Sequence, residues 1–226
     1  EVLEKSGLCT IVFKFDRETG RLAFTLDEKT GTKLSGMIGL RGALEKFDYM
    51  KLDKAPLEKE QGFKVFLFHS LITEFKPVDF EMVEGEPLMS LPKNFHYYAG
   101  GHPHMVFQKD MKQHGYGMIA YPGPLFPNNF KELEHLKHGG FHLVEVDAQQ
   151  RCSVKHMPIV MKNVVPVLIH ADGKTSEDVK KEIKTALDKD AVKDAIVTVR
   201  VEGCLREGKA SDIPFYELFS YCGAYI

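Results

Sequence analysis

Residues 62–72 read Gly-Phe-Lys-Val-Phe-Leu-Phe-His-Ser-Leu-Ile. A strand that is apolar on nearly every residue, instead of every second one, is expected where both faces of a sheet are covered. The run therefore predicts a layered α/β or α+β fold, with His69 at the end of a buried strand. An imidazole there needs a partner: a backbone carbonyl, a carboxylate or a metal.

Upstream, residues 1–6 followed by Gly7 read as a last helical turn and its glycine stop. "CTIVFKF" (9–15), "RLAFTL" (21–26) and "KLSGMIGL" (33–40) are separated by Asp/Gly-bearing turns, which predicts a short β-meander or paired hairpins. Between Arg41 and Lys54, Ala43, Leu44, Phe47, Met50 and Leu52 suit a short amphipathic helix.

Downstream, an acidic, proline-bearing loop (76–93) precedes three further strands. These are "FHYYAGG" (95–101), "YGMIAY" (116–121) running into a Pro/Gly/Asn loop, and "GGFHLVEVD" (139–147). The polar stretch 148–153 is the best boundary, dividing the chain into domains 1–153 and 154–226. The second is a small β-α-β-α module. Its parts are "VVPVLIHA" (164–171), a helix capped by Thr175 or Ser176 and running to about Asp188, "AIVTVRVEG" (195–203) and a final helix over 211–222. In the second strand Val197, Val199 and Val201 alternate with Thr198, Arg200 and Glu202, the pattern of a half-exposed strand.

Formal net charge is −2, with 18 basic and 21 acidic residues up to 147 and 12 and 11 after it. Neither part is a basic module, so contact with nucleic acid would need a local patch. Cys9, Cys152, Cys204 and Cys222 form no CxxC pair and read as reduced, mostly buried thiols of an intracellular protein. No apolar run has the length of a membrane span, and nothing at the start resembles a signal peptide. The opening, without an initiator methionine, reads as a fragment of a longer chain.

His102-Pro103-His104 carries the chemistry. Proline pushes the preceding residue towards an extended backbone, in which residues i and i+2 face one side. Gly100 and Gly101 let that backbone approach something closely. His-x-His at a strand end is a recurring metal-ligand arrangement, and the spacing leaves open whether one ion or two are held. His96, His114, His135, His138, His142, His156 and His170 read as surface or hydrogen-bonded residues, with His142 alternating outward. Asp79, Glu81, Glu84 and Glu86 read as a solvated loop. Ser70 lacks the glycine pattern of a nucleophile elbow, and no Walker or GxGxxG motif occurs.

Taken together, several segments resemble one family. They are Val65-Phe-Leu-Phe-His69; 33 residues on, Tyr97-Tyr-Ala-Gly-Gly-His102-Pro-His104; Ala120-Tyr-Pro-Gly123; and Gly140-Phe-His-Leu-Val-Glu145. "GMIGLRGALEK" (36–46) and residues 198–213 add to it. The combination resembles the later part of the SbcD/Mre-eleven type of double-strand-break repair nuclease, a calcineurin-like metallophosphoesterase with a capping domain.

The resemblance implies an α/β (α+β) fold: part of a four-layer β-sandwich flanked by helices, then a β-α-β-α capping domain that steers DNA. It implies a site with two Mn2+ ions, with His69 and His102 serving one ion and His104 the other, and manganese-dependent exonuclease and endonuclease activity on DNA. The implied partners are DNA (double-strand ends, hairpins and single strands), an SMC-like coiled-coil ATPase of the SbcC type and a second copy in a homodimer. The implied setting is intracellular, cytoplasmic in an archaeon or bacterium.

The chain departs from the family in three places. The early Asp-x-His, the bridging Asp and the Gly-Asn-His with its catalytic histidine are absent, and are expected before Glu1. Pro124 stands where a small hydroxyl residue usually follows Tyr-Pro-Gly. The ATPase-gripping helix is expected beyond Ile226. The isolated chain is therefore expected to be inactive alone. Two alternatives remain: a catalytically dead module binding DNA ends or a partner, and a mononuclear zinc hydrolase using the same three histidines.

Overall fold

The computed structural model describes residues 2–78 and 83–221. Asp79, Glu81 and Cys222 lie outside the described residues. The chain is mixed α/β and forms two compact units, one of residues 1–124 and 140–157 and one of 125–139 and 158–226.

The first unit opens with α1 (Val2–Lys5), closed by Gly7 at φ 76°, a left-handed conformation that glycine adopts without a Cβ clash. Short strands follow: β1 (Phe15–Asp16) pairs with β2 (Arg21–Leu22), and β3 (Thr25–Leu26) pairs with β4 (Lys33–Met37), all antiparallel. Both turns are held by aspartate, since Asp16 and Asp27 accept hydrogen bonds from Thr19 and Thr30. The expected hairpins are present, with strands shorter than the apolar runs.

Helices α2 (Glu45–Lys51) and α3 (Lys54–Lys59) follow. The single helix expected over 41–54 is replaced by these two, and its predicted face is wrong. Helix α2 buries Glu45, Asp48 and Tyr49 and exposes Leu44, Phe47 and Met50. The carboxylate of Asp48 accepts three bonds from Arg17, at 3.0, 3.3 and 2.9 Å, which holds the polar side of the helix inward. The second helix starts where Asp53 accepts a bond from the Ala55 amide, with Pro56 in the first turn, where no N–H is needed.

The main sheet has six strands in the order β3-β4-β5-β6-β8-β7. They include β5 (Lys64–His69), β6 (Tyr97–Gly101), β7 (Val106–Asp110) and β8 (Met118–Pro122). Strands β4, β5, β6 and β8 run parallel; β3 and β7 are antiparallel edges. The core lies on one face, where Phe66, Phe68, Tyr98, Ile119 and Tyr121 are buried together with Leu57, Ile72, Leu91 and Phe95. Lys64 shares this face at 1% exposure, its ammonium donating to the Leu57 carbonyl at the end of α3 (2.8 Å) and lying over the Phe95 ring. Val65 and Leu67, on the opposite face, are only half-buried. Burial on both faces of this strand is thus corrected: one face is closed and the other is partly open.

After α4 (Phe130–Leu136) come β9 (Gly139–Val146) and β10 (Cys152–Ile159), a two-stranded sheet. The polar stretch 148–153 is the turn between them and the first two residues of β10. The Asp147 amide bonds to the Arg151 carbonyl, and the Asp147 carboxylate collects the amides of Gln149 and Arg151.

The second unit pairs β11 (Asn163–His170) with β12 (Ala195–Glu202) in parallel, joined by α5 (Ser176–Leu187). Thr175 and Asp178 cap α5 reciprocally. Helix α6 (Phe215–Tyr221) closes a core of Ile169, Val179, Ile183, Ile213 and Leu218. The alternation read for β12 is only partly right: Thr198 is buried, and Arg200 is held by Glu134 of α4 and lies over Phe130. Helix α4 covers the side expected to face solvent.

No helix among the described residues is long and apolar enough to cross a membrane. Cys9 and Cys204 are exposed and Cys152 half-buried, all unpaired, so the described thiols are less buried than expected.

Candidate functional site

Strand β5 ends at His69 and β6 ends at Gly101, its register partner, at the carboxyl edge of neighbouring parallel strands. This is where open α/β sheets present their loops for binding. His69 stands exposed at that edge instead of buried, because it follows Val65 and Leu67 on the partly open face. Its imidazole passes between two glycines. A Cβ on Gly39 would stand 2.6 Å from His69 Cδ2, and one on Gly101 would stand 2.9 Å from His69 Nδ1. Only glycine admits the ring at both places.

His102 follows directly. Its ring meets that of His69 edge to face, with centroids 5.3 Å apart. The extended backbone expected before Pro103 is not observed: His102 sits at φ 88°, a region that side-chain-bearing residues rarely occupy. Such strain costs on the order of 1–3 kcal/mol and persists where surrounding structure enforces it, often at functional sites. Here Pro103 is buried between exposed His102 and His104.

Although the residue is exposed overall, its ring is partly desolvated between the glycines, which holds the His69 pKa below the usual imidazole value; His102 and His104 push the same way and Glu45 opposes them. His69 is thereby kept neutral, the form that donates a lone pair to a metal. His104 is near enough to act on His69 electrostatically.

His69 and His102 line a cavity of about 320 Å3 with Arg41, Glu45, Ser70 and Glu86. Each cavity carboxylate already has one partner. Glu45 accepts from the Leu40 amide (3.0 Å), Glu84 pairs with Lys46 (3.0 Å) and Glu86 accepts from Ser90 (3.3 Å). Among the described residues no group of three His, Cys, Asp or Glu is arranged to hold a metal ion. The fit to a metal is therefore partial. Two imidazoles suit two corners of one ion's shell, and imidazole nitrogens alone do not offset the charge of two divalent ions.

The remaining histidines differ among themselves. His96 is satisfied, its Nδ1 accepting from the Lys64 amide at 3.1 Å, with the ring against Phe63. His142 does not alternate outward. Phe141, Leu143, Glu145 and Val146 are the exposed residues of β9, while His142 turns inward with Val144. There it meets His156, with ring centroids 5.6 Å apart. Sequence reasoning missed this pair and missed Gly39. The signal for Gly39 was a second glycine in Gly36-Met-Ile-Gly39, at the end of the strand beside β5.

No protein-family model matches this chain, and no curated protein matches it either.

Proposed function

We propose that the chain is the later part of a manganese-dependent DNA nuclease of the SbcD/Mre-eleven type, acting on phosphodiester bonds at DNA ends. In this reading the first domain completes a layered metallophosphoesterase sandwich, and the β11-α5-β12-α6 module is a DNA-steering cap. The observation that carries it is the approach of His69 and His102, 5.3 Å apart at the carboxyl edge of a parallel sheet. These two residues and His104 are the positions that the motif resemblance singles out.

The roles follow from the chain's own chemistry. His69 and His102 would hold one ion through their ring nitrogens, and His104 would hold the other. When bound, the manganese pair supplies polarisation of the phosphodiester and charge stabilisation of the departing oxygen. The reading requires further ligands, including a bridging carboxylate, that these three histidines do not supply. DNA, a coiled-coil ATPase and a second copy are the partners of the complete enzyme. Titration with Mn2+ alone tests the ligand set: weak binding, lost in His69→Ala and His102→Ala, is expected. Binding indifferent to both substitutions would remove the reading.

A second reading is favoured by one observation, the lack of a three-donor group among the described residues. Here the chain is a DNA-end or partner-binding module without catalysis. Duplex binding that persists in chelator, with a salt dependence reflecting a few phosphate contacts, supports it. No binding at low salt rules it out.

A further inference from the structure

The hairpin of β9 and β10 carries a second histidine pair that the proposed nuclease chemistry does not use. The bond from the Asp147 amide to the Arg151 carbonyl closes the hairpin. Counting the same number of residues back from each end of that bond brings His142 opposite His156. Their rings lie 5.6 Å apart at an interplanar angle of 89°. The imidazole of His156 also covers Gly140, where a Cβ would stand 2.7 Å from Nε2, so the backbone opens just enough to admit it.

Three ring nitrogens of this pair have no hydrogen-bond partner. His142 Nδ1, His142 Nε2 and His156 Nδ1 are all screened from solvent and unpaired. Buried polar atoms are nearly always paired, because an unpaired one has lost its water without gaining a partner. Two orphaned imidazoles facing each other across a strand pair therefore call for a shared ligand. Burial first, and the neighbouring His156 second, hold the His142 pKa below the usual imidazole value, which keeps its lone pair available.

We propose that His142 and His156 form a cross-strand site for a borderline or soft divalent metal of the Cu2+/Zn2+ class. Two imidazoles sharing one such ion at about 2.0–2.1 Å per nitrogen have ring centroids roughly 5–6 Å apart, which matches the observed spacing. Among the described residues no third His, Cys, Asp or Glu completes the set, so water or a small ligand fills the other positions and the ion exchanges. His142 also lines the groove of Val12, Phe13, Leu67 and Ala99, whose apolar walls disfavour a strongly hydrated ion. With only imidazole donors, affinity follows the order copper above zinc, with manganese weakest.

The test uses a chain in which His69, His102 and His104 are all alanine, so that only the other histidines remain. Titration with Cu2+ is expected to give one bound ion whose electron paramagnetic resonance spectrum shows two coordinating nitrogens. His142→Phe or His156→Phe should each lower Cu2+ affinity by about tenfold or more and reduce the nitrogen count. Side-chain nitrogen spectra of the unsubstituted protein with Zn2+ give an independent reading in case a substituted hairpin misfolds. The resonances of His142 and His156 should shift while those of His96 stay in place. Copper binding unchanged by either substitution, no binding at all, or zinc shifts that bypass both residues would overturn the proposal.

Discussion

The imidazole of His69 rests on Gly39 so closely that a Cβ there would stand 2.6 Å from its Cδ2. Gly39→Ala is therefore expected to rotate the ring away from His102 without unfolding the chain. The displaced atoms belong to an exposed side chain that can yield, so the stability change should stay within about 1 kcal/mol. Side-chain nuclear magnetic resonance spectra should show both His69 and His102 shifting, and Mn2+ binding should weaken. Unshifted resonances would show that the glycine contact does not position the ring.

Tyr121 braces the segment that leaves β5. Its hydroxyl donates to the Ser70 carbonyl (2.9 Å) and accepts from the Ile72 amide (3.2 Å), and the residue is fully buried. Tyr121→Phe removes one atom and orphans two buried backbone groups. The expected loss is about 1–3 kcal/mol, read as a lower urea midpoint at unchanged slope. An unchanged midpoint would show that those backbone groups find other partners.

His96 gives the fold an acid limit. Burial first, and the nearby Lys64 second, hold its pKa below the usual imidazole value, and its Nδ1 accepts the Lys64 amide. Protonation removes that acceptor. The unfolded chain binds the proton first, so the stabilisation is complete above about pH 6.5, the unfolded imidazole value, and declines as pH falls from there towards the folded value. His69 and His142, also lowered, add slopes of the same sign. His96→Asn keeps an acceptor but does not titrate. Its stability should fall less between pH 7 and 5 than that of the unsubstituted chain, as measured by denaturant titration at each pH. Equal slopes would assign the acid limit elsewhere.

Much of the fold was legible where pattern and turn chemistry agree. Thr175 with Asp178, Gly7 after α1, and the aspartate turns at Asp16 and Asp27 are local devices readable at a few residues' range. What failed depended on distant partners. The orientation of α2 is set by Arg17 reaching Asp48, 31 residues away, and no helical periodicity contains that contact. The inward turn of His142 depends on β10, a strand too polar to stand out in the sequence. At the site, motif spacing pointed to His69 and His102, whose rings do meet. It missed the positive φ at His102 because the proline rule favours an extended backbone there, and here tertiary packing prevails.

The central claim is that His69, His102 and His104 are one part of a two-manganese nuclease site whose other ligands lie outside these residues. Cleavage of end-labelled duplex DNA tests it most directly. The chain is assayed alone and mixed with a polypeptide carrying the Asp-x-His, bridging Asp and Gly-Asn-His motifs. The account predicts no cleavage by the chain alone and Mn2+-dependent cleavage by the mixture. That activity should fall by at least about a hundredfold when the chain carries His102→Ala. Full cleavage by the chain alone, or a mixture whose activity ignores His102→Ala, would contradict it.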